Sequence, residues 1–177
     1  MSSSPASVAL LTQLYDSLCS NSVTNYTASS VQSYIMTYLN NPSNPSNQYE
    51  NMTGAINAWI SSTLPQQAVG SSSPVTGLRV FIVEADGATA YDSNAGANNT
   101  HANINVPGTN FSSDGKYKIN ANLGARSYIQ AAALSQTGVF SQYKYSNTSN
   151  KRLLYFAVRQ GLSTADPLGF IVIAMDA

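Results

Sequence analysis

The stretch FIVEADGATAYDSN, residues 81–94, decides how this chain folds. An apolar run rich in β-branched residues comes first, the pair Asp86-Gly87 follows, and a short polar and aromatic run closes the stretch. An Asp-Gly pair between two β-prone runs suits the positive φ angles of a tight hairpin turn. The stretch therefore predicts two antiparallel strands, near residues 78–85 and 88–92.

The same stretch carries three carboxylates, Glu84, Asp86 and Asp92, which raise the alternative of an acidic active-site loop. Glu84 and Asp86 stand two residues apart, so on a strand they would share one face. However, Asp is expected in a tight turn for backbone reasons, and DGATAYDSNAG lacks the spacing of an EF-hand calcium loop. The hairpin is therefore the simpler interpretation, and we expect neither a metal site nor a carboxylate pair for glycoside hydrolysis.

Other catalytic signatures are missing from the sequence. His101 is the only histidine and lies in a polar loop, and no Gly-x-Ser-x-Gly pattern or glycine-rich phosphate loop occurs. Cys19 is the only cysteine, which excludes an intrachain disulfide and a cysteine-based zinc site. The sequence therefore predicts a protein that is not an enzyme and that has no cofactor.

Helical periodicity dominates the chain before the hairpin, and β-strand patterns dominate after it. Apolar residues recur at helical spacing in three segments. They are Val8, Leu11, Leu14, Tyr15 and Leu18; Val31, Tyr34, Ile35, Tyr38 and Leu39; and Met52, Ala55, Ile56, Trp59 and Ile60. We expect these stripes to be buried, with Thr27 capping the second helix and Pro65 ending the third.

Beyond the hairpin, ARSYIQAAALS reads as a helix, and GVFSQYKYS, KRLLYFAVRQG and LGFIVIAMDA read as three strands. Their short connections predict an antiparallel meander. Helices segregated beside an antiparallel sheet make an α+β fold. We interpret residues 1–177 as a single domain, with a helical part at 1–65, a linker at 66–77 and a sheet part at 78–177.

Composition limits the classes of partner and the location. Charged residues make up 9% of the chain against about 25% in typical soluble domains, the net charge is zero, and no Lys or Arg precedes Arg79. A nucleic-acid binder needs a basic patch. The sequence shows no such patch, so we expect no nucleic-acid partner. We also predict no signal peptide and no membrane span.

The location stays open, with an extracellular or virion-associated site among the alternatives. Asn-x-Ser/Thr sequons at five positions would carry glycans only in a secretory setting; they are Asn25, Asn51, Asn98, Asn110 and Asn147.

The order of these elements resembles that in the Cache branch of the PAS-like sensor domains. In those domains a long N-terminal helix leads into a five-stranded antiparallel sheet. The resembling stretches are RVFIVEADGATAYDSN, GARSYIQAAALSQTGVFSQYKYSNTSNKRLLYFAVRQG and LGFIVIAMD, and they cover about residues 78–177. The resemblance implies N-terminal helices packed on a PAS/Cache-like sheet.

The resemblance also implies a ligand site, because many Cache domains bind small extracytoplasmic ligands such as amino acids or organic acids. Arg126 and Tyr128 fall where an Arg-x-aromatic pair contacts a ligand carboxylate, and Asp176 falls where a terminal acid holds a ligand amine. Tyr143, Tyr145 and Tyr155 lie on the strands that would line the pocket. A guanidinium binds a carboxylate through two parallel hydrogen bonds, which makes this chemistry sound.

Two functions remain open at this stage. The first is a non-catalytic module that binds a small carboxylate-bearing ligand. The second is a structural or assembly protein of a shell, filament or virion, whose partners are protein subunits and which reuses the fold without a ligand. A surface rich in Asn, Ser, Thr and Tyr and nearly free of charge suits wet contacts with several partners. A packed or an open space beside Arg126 would discriminate the two.

Overall fold

The computed structural model describes residues 5–20, 30–40, 47–68, 78–93, 123, 124, 126–146, 151–161 and 167–176. The loop at residues 94–122, which includes His101, and residues 69–77 of the predicted linker lie outside the described residues. So do four of the five sequon asparagines, while Asn51 is exposed on a helix. The first three residues of the predicted linker, 66–68, belong to a helix.

Three helices come first, α1 (Pro5–Ser20), α2 (Val31–Asn40) and α3 (Asn47–Ala68). Their apolar stripes are buried as predicted, and Trp59 on α3 is 1% exposed and donates a hydrogen bond from Nε1 to Ser17 Oγ at 3.2 Å. Val8, Tyr15, Tyr34 and Ile60 are half-buried at the margins of the stripes. The aromatic stripes therefore form a core and not a surface for a partner.

Two helix boundaries differ from the prediction. Ser30 caps α2 in place of Thr27, because its Oγ accepts a hydrogen bond from the Ser33 amide at 3.3 Å and its carbonyl accepts one from the Ser33 hydroxyl. The helix α3 ends at Ala68 and continues past Pro65, so the prediction that Pro65 ends it is wrong. A proline removes one backbone donor and bends a helix without always ending it.

The predicted hairpin is confirmed by β1 (Arg79–Glu84) and β2 (Thr89–Asp92), which pair antiparallel. In the turn, Asp86 Oδ1 accepts a hydrogen bond from the Ala88 amide at 3.0 Å, and Gly87 adopts a φ of 91°. A side chain that bonds the backbone two residues on, followed by a left-handed glycine, is the turn chemistry that the Asp-Gly pair predicts.

A short helix and three strands complete the described fold: α4 (Ser127–Ala133), β3 (Val139–Ser146), β4 (Lys151–Gln160) and β5 (Gly169–Asp176). They form one five-stranded antiparallel sheet in the order β2-β1-β5-β4-β3. The last three strands are neighbours, which confirms the meander and the α+β class. The final strand, β5, lies at the centre of the sheet.

Alternating residues along the strands build a core on each face of the sheet. On β5, Ile171 and Ile173 face α1, α2 and α3, whereas Phe170, Val172 and Ala174 face α4. We call these the helix-layer face and the α4 face. This period-two division is what a strand covered on both sides requires.

The helix α2 packs over one row of the sheet, in which Glu84, Gly169 and Gln160 are paired across β1, β5 and β4. Polar side chains at both ends of the row make hydrogen bonds to the helices. Gln160 is buried, its Nε2 donates to the Tyr15 hydroxyl at 3.0 Å, and its Oε1 accepts from Gln32 on α2 at 3.0 Å.

Replacing Gly169 by alanine is expected to destabilise the chain by about 1–3 kcal/mol, the usual effect of an extra methyl in a packed core. A Cβ at Gly169 would meet Leu39 Cδ2 at 2.9 Å and would also press on the Val83 carbonyl, which is backbone and cannot rotate away. Urea denaturation measures the effect. The double variant Gly169→Ala, Leu39→Ala should be less stable than Leu39→Ala alone, because the Val83 carbonyl still opposes the methyl group. A wild-type midpoint for Gly169→Ala would contradict the close contacts at this position.

The described helices include none that is long and apolar enough to cross a lipid bilayer.

Candidate functional site

The α4 face of the sheet is where the resemblance places a ligand. Buried residues of the three inner strands, β1, β5 and β4, contribute to this face, and α4 and Leu123 lie over it. Its members are Phe81, Val83, Leu123, Tyr128, Ile129, Ala132, Leu153, Tyr155, Ala157, Phe170, Val172 and Ala174.

Two of the six predicted site residues meet on this face. Tyr128, in the first turn of α4, stacks on Tyr155 of β4 with ring centroids 4.7 Å apart and an angle of 8° between the planes. Both tyrosines are buried. Such stacked pairs contribute about 0.5–1.5 kcal/mol beyond the burial of their area. The stack therefore fixes α4 on the sheet and forms an aromatic wall.

Arg126 lies immediately before α4, and its side chain is exposed. Its carbonyl accepts hydrogen bonds from the amides of Ile129 and Gln130, at 3.1 and 3.0 Å, so the backbone of Arg126 starts the helix. The side chain makes no capping bond. The side chain is thus exposed beside the first turn of α4, and its predicted contact with a ligand stays a prediction.

The structure places the remaining predicted residues only by their backbones. Asp176 ends β5 and pairs with Leu153, a residue of the α4 face. Tyr143 and Tyr145 lie on β3, where an irregularity between Ser141 and Lys144 shifts the register by one residue. Beyond it, Lys144 pairs with Leu153, and Tyr145 pairs with Arg152. The side chains of Tyr143, Tyr145 and Asp176 lie outside the described residues.

A buried ion pair on the α4 face was not predicted. Arg79 Nη2 lies 2.9 Å from Asp92 Oδ2, and the two side chains are 4% and 0% exposed. The Arg79 guanidinium also lies over the Phe81 ring, 4.6 Å from its centroid. Arg79 shares a sheet row with Ala174 and Tyr155, which places the pair and the tyrosine stack on the same surface.

A second buried arginine fixes the opposite end of this face. Arg159 donates from Nε to the Ser135 carbonyl at 3.2 Å and from Nη1 to the Gly161 carbonyl at 2.7 Å. It therefore anchors the segment between α4 and β3. Among the arginine side chains that the structure describes, Arg126 is the one that solvent reaches.

The three carboxylates of the opening stretch do not converge. Asp92 is buried on the α4 face, Asp86 is exposed in the turn, and Glu84 lies on the helix-layer face. Glu84 Oε2 accepts a hydrogen bond from the Tyr38 hydroxyl at 3.1 Å. The pKa of the Glu84 carboxyl is raised to about 7, because the effect of burial, together with the charge of Asp86, exceeds the lowering by the hydrogen bond from Tyr38. This arrangement decides for a hairpin and against an acidic active-site loop.

Comparisons with known proteins agree at the level of the fold. No protein-family model matches the sequence, and no curated protein matches it. The sensor domain of the histidine kinase DctB from V. cholerae is similar, with a TM-score of 0.54 and 18% identity, over 97% of this chain and 51% of that one. An extracellular ligand-binding receptor from Desulfohalobium retbaense has a TM-score of 0.50 and 9% identity, over 97% of this chain and 24% of that one.

This chain therefore spans about half the length of the first structure and about a quarter of the second. The chain resembles Cache-type sensor domains in fold, with N-terminal helices and a five-stranded antiparallel sheet, at low sequence identity. The resemblance stated from the sequence is confirmed to that extent.

Proposed function

We propose that this chain is a non-catalytic binding module that takes a small carboxylate-bearing ligand, such as an amino acid or an organic acid, between α4 and the sheet. The stack of Tyr128 on Tyr155 carries the proposal, because it brings two of the predicted site residues together on the face that the resemblance assigns to a ligand. The likeness in fold to a sensor domain and to a ligand-binding receptor supports it.

The roles of the residues follow from their placement. Arg126 is exposed at the start of α4, so its guanidinium is free to pair with an incoming carboxylate through two hydrogen bonds. Arg79 and Arg159 are held by protein oxygens and are therefore less suited to that role. Tyr128, Tyr143, Tyr145 and Tyr155 would supply aromatic walls, and Asp176 would hold a ligand amine.

A thermal-shift screen with amino acids and small organic acids tests the proposal. A ligand at about 100 times its dissociation constant adds roughly 2.7 kcal/mol to the free energy of unfolding. For a chain of this length, each kcal/mol raises the melting temperature by about 2–4 °C, so we expect a shift of about 5–10 °C. A screen without any shift would reject the small-ligand function and favour an assembly protein with protein partners.

Variants of α4 then locate the site. Arg126→Ala should weaken binding of the ligand found by about 2–5 kcal/mol, because a desolvated charged pair loses one partner. Gln130→Ala is the matched control, since Gln130 is exposed one turn further along the same helix, and it should bind as the wild type does. Calorimetry distinguishes the results. Equal affinities for the wild type and Arg126→Ala would leave a binding module whose site is elsewhere.

A further inference from the structure

Glu84 joins the sheet to the helical layer at the end of β1. Its carboxyl is partly buried against α2, where it accepts the hydrogen bond from Tyr38. Tyr38 is fully buried, and burial raises the pKa of its hydroxyl well above the usual value. The hydroxyl therefore remains protonated and donates to Glu84 across the whole range in which the carboxyl titrates.

Among the residues that the structure describes, the ionisable groups around Glu84 come from three elements. Tyr38 lies on α2, Tyr49 lies on α3, and Asp86 lies in the hairpin turn. The neighbour of Glu84 on β5 is Gly169, which has no side chain. The Tyr49 hydroxyl donates a hydrogen bond to the Ala90 carbonyl at 2.9 Å. None of these groups is a cation, so a charge on Glu84 would be opposed by burial and by Asp86 and supported by one hydroxyl.

We propose that the contact between Glu84 and Tyr38 is a pH-sensitive switch, which holds α2 firmly on the sheet while Glu84 is uncharged and loosens as Glu84 ionises. An ionised carboxylate requires more solvation than this contact gives it. The partly exposed carboxyl already meets some water, and it gains more when the adjoining end of α2 moves away from the row formed by Glu84, Gly169 and Gln160. The raised pKa of Glu84, about 7, places this change near neutral pH.

The turn extends the effect to the other face of the sheet. The Gly87 amide donates to the Glu84 carbonyl at 2.8 Å, and the Gly87 carbonyl accepts from the Leu123 amide at 2.7 Å. Leu123 belongs to the buried cluster of the α4 face. A displacement of Glu84 is therefore transmitted through two backbone hydrogen bonds to the segment that precedes α4.

The direction of the pH effect follows from proton linkage. The carboxyl has a pKa of about 7 in the folded chain against an ordinary value of 4.5, so between these values the folded chain holds a proton that the unfolded chain has released. Raising the pH through this window therefore favours the unfolded or the opened form. The contribution of Glu84 is fully present below about pH 4.5, falls across the window and is lost above about pH 7.

Hydrogen exchange of the α2 amides, corrected for the intrinsic pH dependence of exchange, tests the proposal. One pKa unit corresponds to a tenfold change in an equilibrium constant, and Glu84 is partly exposed, so we expect the opening constant of α2 to rise about tenfold from pH 5 to pH 8. Glu84→Gln keeps the acceptor without the charge, and its opening constant should stay level. Glu50→Gln removes an exposed carboxylate from α3 and should follow the wild type.

A second variant tests the proposal even if Glu84→Gln does not fold. Tyr38→Phe removes the hydrogen bond that lowers the pKa of Glu84, so the midpoint of the pH transition should move to higher pH. The Leu123 amide should report the same midpoint as α2 in the wild type. A wild-type opening constant that does not change from pH 5 to pH 8 would overturn the proposal, and so would the same rise in Glu84→Gln.

Discussion

Replacing Arg79 by alanine should destabilise the chain by about 3–5 kcal/mol, the usual loss when one partner of a buried ion pair is removed. Asp92 is fully buried, so without Arg79 it would remain as a charge without its counter-ion at 2.9 Å. The variant also loses the contact of the guanidinium with the Phe81 ring. Thermal or urea denaturation followed by circular dichroism gives the free energy of unfolding.

Two further variants show whether the unpaired charge causes the loss. Arg79→Met combined with Asp92→Leu removes both charges and keeps the volume, and it should recover most of the stability. Arg126→Ala removes an exposed arginine and should change the stability by no more than about 0.5 kcal/mol. If the double variant were as unstable as Arg79→Ala, packing and not charge would be the reason.

Replacing Trp59 by alanine should also have a large effect, about 3–5 kcal/mol, because an indole that is 1% exposed leaves a cavity among three helices and the sheet. Trp59→Phe keeps most of the packing, loses the hydrogen bond to Ser17 and should have a smaller effect of about 1–2 kcal/mol.

Ser61→Ala, at an exposed position of α3, is the control and should leave the stability near that of the wild type. Trp59 is the only tryptophan in the chain, so circular dichroism must report unfolding in Trp59→Ala. A stability loss below about 1 kcal/mol in Trp59→Ala would indicate that the stripe is a partner surface.

The hairpin and the buried stripes could be predicted from the sequence because both depend on local patterns. The Asp-Gly pair sets the turn, and helical spacing marks the buried side of each helix. The boundary errors have local causes as well. Thr27, Ser29 and Ser30 are all competent N-caps, so residue type does not choose among them.

The buried ion pair could not be predicted, because a single extra residue in β2 decides it. Val83 pairs with Thr89, but Ile82 pairs with Tyr91, so Ala90 is an inserted residue. A bulge of this kind shifts every later side chain to the opposite face. Without it, Asp92 would face the helical layer; with it, Asp92 lies opposite Phe81 and beside Arg79. No residue type in TAYD, residues 89–92, predicts the bulge.

The candidate site was predictable only through the resemblance. Tyr128 and Tyr155 are 27 positions apart in sequence and belong to different elements, so no spacing rule joins them. Once α4 is placed over β4, the contact follows. The irregularity in β3 is a second register change that the sequence does not reveal, and it determines whether Tyr143 or Lys144 is in register with Leu153.

The central position of β5 also governs how a nascent chain can fold. Ribosomes synthesise β1 with β2, and β3 with β4, before β5, so both hairpins exist before the strand that joins them. An isolated hairpin is marginally stable in water, and until β5 inserts, β1 and β4 each present an unpaired backbone edge to other chains. The pairing of Arg79 with Ala174 closes a very long loop, which makes this step slow. Chaperones that cover these edges during translation would therefore protect the chain at its most vulnerable stage.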